Sequence, residues 1–159
     1  FAQKEISLLG QAGIFGEYGN SFHPDENITL RSLLKAMLAS REGIYGINKI
    51  EDQELINRCQ RLGWIKENAD LNSQVSRDNL SLLMLRFLEI EYLTQIEGIY
   101  QVPYQDTAQL SPTSKATAAI TWGLGIIKAD GKNYNPTHIV TRGEAAAVLV
   151  HTLAVNTRP

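Results

Sequence analysis

The sequence predicts an all-α protein made of helix–loop–helix repeats. Apolar residues recur three and four apart, most clearly in the run Leu80, Leu83, Met84, Phe87 and Leu88, which is typical of a buried helix face. No alternation of apolar and polar residues persists long enough to predict a sheet. Residues 28–33, 75–80 and 140–145 are related in sequence. Because repeats this small cannot bury their own apolar faces, we expect the three to pack together as one domain over residues 1–159.

The first helix of each repeat is predicted at residues 4–12, 52–62 and 111–122. Ser111 followed by Pro112 is a typical helix start, because the serine caps the free amides and proline suits the first helical position. A glycine follows each helix, at Gly13, Gly63 and Gly125. Glycine adopts the left-handed conformation that ends many helices, so we expect these three residues to be C-terminal caps.

The second helix of each repeat is predicted at residues 29–41, 76–96 and 141–153, the middle one being the longest. Thr29, Ser76 and Thr141 stand at the starts, where a hydroxyl accepts a hydrogen bond from a first-turn amide. An apolar β-branched residue precedes each cap and completes a hydrophobic staple. Glu144 lies three residues after Thr141, and this spacing predicts a capping box.

The repeats are predicted to divide at residues 1–45, 46–100 and 101–159. The tetrapeptide Glu-Gly-Ile-Tyr closes each of the first two repeats, at residues 42–45 and 97–100. Each copy leads to an aspartate near the start of the next repeat, Asp52 and Asp106. The sequence opens at Phe1 rather than Met and has no basic-then-apolar leader, so we expect it to be part of a longer chain with other domains.

Composition and charge exclude several classes of function. Fifteen Lys and Arg residues against 17 Asp and Glu give a net charge of −2, which argues against binding to nucleic acid. No stretch approaches the roughly 20 apolar residues of a spanning helix, so membrane insertion is not expected. One cysteine and three separated histidines offer no metal-ligand spacing, and we expect no metal or cofactor. Without a nucleophile motif or recognisable carboxylate pair, we expect no enzyme activity.

The third repeat resembles a known family in sequence. It carries Leu124-Gly125-Ile126-Ile127, Tyr134-Asn135-Pro136 and Val140-Thr141-Arg142-Gly143-Glu144. These motifs are similar to those of S-layer homology (SLH) modules, in which an aromatic-x-Pro loop precedes Thr-Arg-Ala-Glu at a helix start. The first two repeats are degenerate copies. The resemblance implies three tandem SLH modules packed as a pseudo-threefold helical bundle.

The resemblance also implies a function. SLH modules typically anchor exported proteins to the bacterial cell wall, S-layer or cell surface, mostly in Gram-positive species. They do so by non-covalent binding of a secondary cell-wall polysaccharide linked to peptidoglycan, through pyruvylated sugars in grooves between repeats. The alternative is that these degenerate repeats form a protein-interaction or spacer module without glycan binding.

The residues expected to bind glycan centre on arginines at helix starts. Arg142 and Arg77 occupy the first helical position, where a cation opposes the helix dipole. This placement is explained if an anion is shared between the guanidinium and free first-turn amides, because guanidinium binds a carboxylate through two parallel hydrogen bonds. Alternatively, both arginines pair with nearby acids. Arg31 comes one position later, about 100° around the helix, which leaves the first site in doubt.

Four further residues complete the expected site. The resemblance implies that Asp106 and Asp52 help to line grooves, although both also suit a helix N-terminus. Thr141 belongs to the same motif as Arg142. Trp64 either stacks on a sugar or packs in the core, and for Trp122 we expect packing. Two tyrosines, Tyr104 and Tyr134, are expected in the core.

Overall fold

The computed structural model describes residues 2–19, 21–66, 69–96, 98–128 and 132–156. Within these ranges the chain is α-helical and has no strands, which confirms the predicted fold class. The helices are α1 (Gln3–Gln11), α2 (Leu30–Glu42), α3 (Asp52–Arg61), α4 (Arg77–Phe87), α5 (Pro112–Gly123) and α6 (Arg142–Asn156). Short 3₁₀ helices lie at Gly16–Tyr18, Ile47–Lys49, Glu91–Gln95 and Gln105–Gln109. None of the described helices is long and apolar enough to span a bilayer.

The predicted helix starts are confirmed by their caps. The hydroxyls of Thr29, Ser76 and Ser111 each accept a hydrogen bond from the amide three residues later. Thr141 and Glu144 form the predicted capping box: the Glu144 amide donates to the threonine hydroxyl at 3.2 Å, and the Thr141 amide donates to the glutamate carboxylate at 2.8 Å. Local sequence therefore sets these four starts.

The predicted glycine caps are confirmed as well. Gly13, Gly63 and Gly125 have φ values of 73°, 72° and 72°. After each glycine, the next amide donates to the carbonyl five residues earlier, as between Trp64 and Cys59 at 2.9 Å. This pattern is the Schellman motif, which satisfies carbonyls at the end of a helix.

The prediction of a long α4 is wrong, because this helix ends at Phe87. Glu89 has a φ of 62° and takes the left-handed position that glycine fills after α1, α3 and α5. The amide of Ile90 then donates to the Leu85 carbonyl at 2.9 Å, which closes a fourth Schellman motif. The chain continues as the 3₁₀ helix Glu91–Gln95. A glutamate carries no sequence signal for this ending.

The first of two compact units comprises Phe1–Val75 and Val140–Val150. In it, α2 packs against α3 and against the 3₁₀ helix Ile47–Lys49. Its fully buried side chains include Ile28, Leu33, Leu34, Met37, Leu38, Leu55 and Trp64.

The residues that precede the three caps form a closed ring of backbone hydrogen bonds in this unit. The Ile28 amide donates to the Val140 carbonyl at 3.1 Å, Val140 donates to Val75 at 3.0 Å, and Val75 donates to Ile28 at 3.4 Å. All three side chains are at most 2% exposed. One residue of each related segment thus occupies an equivalent place in the ring.

The second unit comprises Ser76–Ile139 and His151–Pro159. Here α4 and α5 pack together, and the 3₁₀ helix Glu91–Gln95 packs on both. Tyr104 and Tyr134 are 5% and 1% exposed and pack against Ala118, with their ring centroids 5.4 Å apart. The prediction that both tyrosines lie in the core is confirmed. The repeat boundaries at residues 45 and 100 stay predictions.

Candidate functional site

Helices α2, α4 and α6 begin in the same way, with a loop lying across the first turn. The amide of the first helical residue donates to a carbonyl of the loop. The amide of the second helical residue donates to the loop carbonyl that lies two residues before the first one. The pairs are Leu30–Ser73 and Arg31–Leu71, Arg77–His138 and Asp78–Pro136, and Arg142–Glu26 and Gly143–Pro24, all at 2.8–3.0 Å. We call these arrangements the Arg31 mouth (residues 29–33 and 70–73), the Arg77 mouth (76–81 and 134–138) and the Arg142 mouth (141–145 and 22–26).

The expected sharing of an anion with free first-turn amides is wrong. At every mouth the first two amides bond to loop carbonyls, and the third bonds to the cap hydroxyl of Thr29, Ser76 or Thr141. These bonds use the donors that an anion would need at a helix N-terminus. Side chains alone are therefore left to bind a ligand there.

At the Arg142 mouth, the guanidinium has three kinds of partner. Nη2 of Arg142 lies 2.9 Å from a carboxylate oxygen of Glu26, and Nη1 donates to the Phe22 carbonyl at 3.2 Å. The guanidinium carbon lies 4.1 Å from the centre of the Tyr18 ring. Nε is buried and has no hydrogen-bond partner among the described residues. These contacts hold both terminal nitrogens of the arginine, while its Nε–H donor is unused among the described residues.

Tyr18 packs against Arg142 from outside the mouth, and the sequence reasoning missed it. Its hydroxyl donates to the Ser32 hydroxyl at 2.6 Å, and its ring contacts Phe15 and Phe22 in an aromatic cluster. Burial, above all, raises the pKa of Tyr18. The spacing of the three aromatic residues was the available signal, but nothing local linked it to Arg142.

At the Arg77 mouth, the arginine repeats the contact made by Arg142. Nη1 of Arg77 donates to the carbonyl of Tyr134, the loop aromatic, at 2.6 Å. Asp106 holds the same loop, because its two carboxylate oxygens accept hydrogen bonds from the Tyr134 and Asn135 amides at 2.9 and 2.8 Å. Asp106 therefore positions the loop whose carbonyl accepts the hydrogen bond from Arg77.

A buried polar network supports this mouth from below. The Tyr134 hydroxyl donates to the Ser81 hydroxyl at 2.8 Å, and one oxygen of Asp78 lies 3.3 Å away. The other oxygen of Asp78 accepts a hydrogen bond from Ser114 at 2.7 Å. Burial raises the pKa of Tyr134 far above its ordinary value. The network fixes the side chain of Tyr134, whose backbone carbonyl accepts the hydrogen bond from Arg77.

At the Arg31 mouth, the structure brings Arg31 and Asp52 together. Nε and Nη2 of Arg31 donate to the two carboxylate oxygens of Asp52 at 2.9 and 2.7 Å, and Nη1 donates to Asn72 at 2.6 Å. Hydrogen bonding from Arg31, above all, lowers the pKa of Asp52. Sequence reasoning missed Asn72, which lies in the diverged loop of the second repeat.

Comparison with known proteins agrees with the repeated geometry. The sequence profile of the S-layer homology domain matches residues 1–30 and 123–146, which include both aromatic-x-Pro loops and the Thr-Arg-x-Glu motif. These two segments match the S-layer homology family. Domains of this SLH family anchor proteins at the cell wall or S-layer and are not catalytic modules, which indicates a cell-surface role for the chain.

A similar solved structure is the undecaheme cytochrome from the S-layer of Carboxydothermus ferrireducens. Its identity to this chain is 14%, and its TM-score is 0.49. The match covers 93% of this chain and 21% of the cytochrome, so the chain spans about a fifth of that protein's length. No curated protein matches this chain significantly.

The two tryptophans of this chain lie outside the mouths as defined above. Trp64 is fully buried, so its ring offers no face to a sugar and packs in the core. Trp122 is 46% exposed, and the expectation that it packs is wrong for much of its ring. Its position in the last turn of α5 turns part of the indole to solvent.

The described part of this chain contains no cluster of metal-ligating side chains. Its single thiol, Cys59, is buried in α3, and burial raises the pKa of Cys59 to about 12. A nucleophilic cysteine needs a readily ionised thiol, so Cys59 does not suit that role.

Proposed function

We propose that the chain anchors its protein to the bacterial cell wall by binding an acidic secondary cell-wall polysaccharide non-covalently. The ligand is a pyruvylated glycan linked to peptidoglycan, and the sites are the Arg142 and Arg77 mouths. One observation carries this proposal: in both mouths an arginine at the first helical position donates to the carbonyl of the loop aromatic, Phe22 or Tyr134. The second and third repeats thus each present a guanidinium in the same way.

The chemistry of Arg142 suits a carboxylate with two free oxygens. Guanidinium binds a carboxylate most strongly through two parallel hydrogen bonds, and Nε with Nη2 provides one such edge. In Arg142 this edge is half used: Nη2 pairs with Glu26, while Nε has no hydrogen-bond partner among the described residues. The recorded contact of Glu26 with this edge is the one to Nη2. A pyruvyl carboxylate that replaces Glu26 would satisfy both nitrogens.

The supporting residues act on the positions of the arginines. Asp106 orders the loop beneath Arg77, and the capping box of Thr141 and Glu144 fixes the start of α6 beside Arg142. We assign these residues to positioning rather than to ligand contact. Preorganised arginines bind more tightly because less side-chain freedom is lost on binding.

The decisive experiment measures binding to purified bacterial cell-wall sacculi that still carry the pyruvylated polymer. We expect the wild-type chain to bind these sacculi and not sacculi stripped of polymer. Arg142→Gln and Arg77→Gln should each reduce binding at least tenfold. Arg61→Gln is the matched control, because Arg61 is an exposed arginine in α3 outside the three mouths. Equal binding to stripped and intact sacculi would contradict the proposal.

A spacer or protein-interaction module is the second candidate, and one observation favours it. The first three amides of every mouth are already paired, and each mouth arginine already has a partner within the chain. Titration with a pyruvylated N-acetylmannosamine fragment separates the two functions. Absence of heat and of chemical-shift change at millimolar ligand would favour the spacer.

The setting follows from the proposed ligand. We place the chain on the outside of the cell, within the wall or S-layer of a Gram-positive bacterium, as one part of a longer exported protein. Its cargo is then carried by the remainder of that protein. Surface labelling of intact cells that express the full-length protein tests this setting.

A further inference from the structure

We propose that Asp52 is an internal substitute for the ligand carboxylate and closes the Arg31 mouth to acidic sugars. Within the first unit, the Arg142 mouth is then the one that binds such a ligand. The inference rests on the proposed function, because it states which of the arginines are available to the glycan.

The Arg31–Asp52 pair has the geometry that a guanidinium forms with a bound carboxylate ligand. Nε and Nη2 of Arg31 donate to separate oxygens of Asp52 at 2.9 and 2.7 Å, which is the two-pronged arrangement a sugar carboxylate would adopt. Nη1 on the other side donates to Asn72. All three nitrogens of this guanidinium therefore have a partner within the chain.

The contrast with Arg142 shows what is unusual at the Arg31 mouth. Glu26 reaches Nη2 of Arg142 at 2.9 Å, while Nε has no hydrogen-bond partner among the described residues. A ligand with two oxygens gains a hydrogen bond when it replaces Glu26. The same ligand gains none when it replaces Asp52, because both bonds of that edge already exist.

The charges around Arg31 oppose a second anion. Carboxylates of Asp52, Glu17 and Asp70 all act electrostatically on its guanidinium. Lys35 is the other cation here, and it lies 3.5 Å from a carboxylate oxygen of Glu17. An acidic sugar would join three carboxylates that face two cations, so its approach is unfavourable.

The position of Asp52 keeps the pair formed. Asp52 is the first residue of α3, where the helix dipole favours an ionised carboxylate. Asn72 is held in turn, since its amide donates to Asp70 at 2.9 Å. Because Asp52 and Arg31 belong to one folded unit, a free sugar acid has to compete with a partner that is held in place.

The test titrates the pyruvylated N-acetylmannosamine fragment into the wild-type chain, Asp52→Asn and Glu54→Gln. Asparagine keeps the shape of aspartate but turns an NH₂ group toward the guanidinium, which releases one prong of the pair. We expect Asp52→Asn to add one binding site, with a new shift of the Arg31 Nε–H resonance. Glu54→Gln removes a neighbouring carboxylate of α3 that pairs with Arg58, and it should leave the number of sites unchanged.

Arg31→Gln provides a second readout that does not need the Asp52 variant to fold. In the wild-type background it should leave fragment binding unchanged within twofold, whereas with Asp52→Asn it should remove the added site. A tenfold loss of wild-type binding on Arg31→Gln would overturn the inference, as would a folded Asp52→Asn chain without an added site.

The two proposals can fail separately. If the wild-type chain binds no fragment but Asp52→Asn binds through Arg31, the inference stands and the proposed function falls. If the wild type binds and Asp52→Asn adds no site, the inference falls and the proposed function stands. Absence of binding in both chains contradicts both proposals.

Discussion

The guanidinium of Arg142 lies over the ring of Tyr18, with 4.1 Å between its central carbon and the ring centre. Tyr18 follows α1 and Arg142 opens α6, so this contact joins the two ends of the sequence within the first unit. The tyrosine hydroxyl is fixed in turn by Ser32. The arginine of the most conventional SLH motif in this chain thus depends on a residue outside that motif.

Two replacements of Tyr18 should separate the contribution of its ring to stability from the contribution of its hydroxyl. Tyr18→Phe keeps the ring under Arg142 and loses the bond to Ser32, so we expect the free energy of unfolding to fall by about 0.5–1.5 kcal/mol. Tyr18→Leu also loses the cation–π contact and should cost roughly 1 kcal/mol more. Urea denaturation measures both values. Equal losses would show that the ring contributes nothing through Arg142.

Loss of the Asp106 carboxylate should weaken the Arg77 mouth. Asp106→Ala leaves the Tyr134 and Asn135 amides without their acceptors, and we expect a loss of about 1–3 kcal/mol in unfolding free energy. Asp106→Asn keeps one acceptor and should lose less. Asp25→Asn is the control, since Asp25 is an exposed acid in the first aromatic-x-Pro loop. The same urea experiment applies, and a loss for Asp25→Asn equal to that for Asp106→Asn would contradict the positioning role.

The end of α4 offers a stabilising substitution. Glu89 adopts a φ of 62°, which costs free energy for any residue with a Cβ and little for glycine. We expect Glu89→Gly to raise the free energy of unfolding by about 0.5–1 kcal/mol. Gly125→Ala makes the opposite change at a φ of 72° and should destabilise by roughly 1 kcal/mol, because no atom lies within 4 Å of the added Cβ and strain alone acts. Thermal denaturation of the two variants should give shifts of opposite sign.

Alkaline pH should destabilise the chain partly through Cys59. Burial raises the pKa of the folded thiol to about 12, whereas an unfolded thiol ionises near pH 8.5. Only the unfolded state then gains by ionisation as pH rises, so this contribution is intact below about pH 8.5 and declines up to about pH 12. By pH 10 we expect a loss of about 2 kcal/mol from this thiol.

Denaturation at pH 7, 9 and 10 measures the effect, with Cys59→Ala as the comparison. Tyr134 acts in the same direction in both chains, because burial raises the pKa of its hydroxyl as well. The alanine variant should therefore show a shallower decline in stability. Parallel curves for the two chains would mean that the thiol does not contribute.

Helix starts and ends were mostly predictable because their signals are local. A hydroxyl cap and the amide it satisfies lie three residues apart, so Thr29, Ser76, Ser111 and Thr141 could be read directly. The ending of α4 could not be predicted, because Glu89 has a left-handed conformation that a glutamate does not favour. Surrounding structure overrides its intrinsic preference there.

The arginines of the candidate site and Asp52 were predictable from the sequence, but Tyr18, Asn72 and the contacts were not. The arginines were recognised from a repeated helix start, and Arg31 and Asp52 were both chosen. Their pairing across 21 residues was not foreseen, nor was the use of the first-turn amides by loops from other repeats. The spacing of residues in the sequence could not decide the burial of either tryptophan, and the structure buries Trp64 and exposes part of Trp122.

The amino-acid sequence alone determines the all-α class, the capped helix starts, the glycine endings and the resemblance of two segments to the S-layer homology domain. These features depend on residues within about one helical turn, or on motifs that can be compared directly. Tertiary structure decides which partner each guanidinium meets: Glu26 and Tyr18 for Arg142, Tyr134 for Arg77, and Asp52 for Arg31. The physical reason is that these partners are far apart along the chain, and packing of the repeats is what brings them within hydrogen-bonding distance.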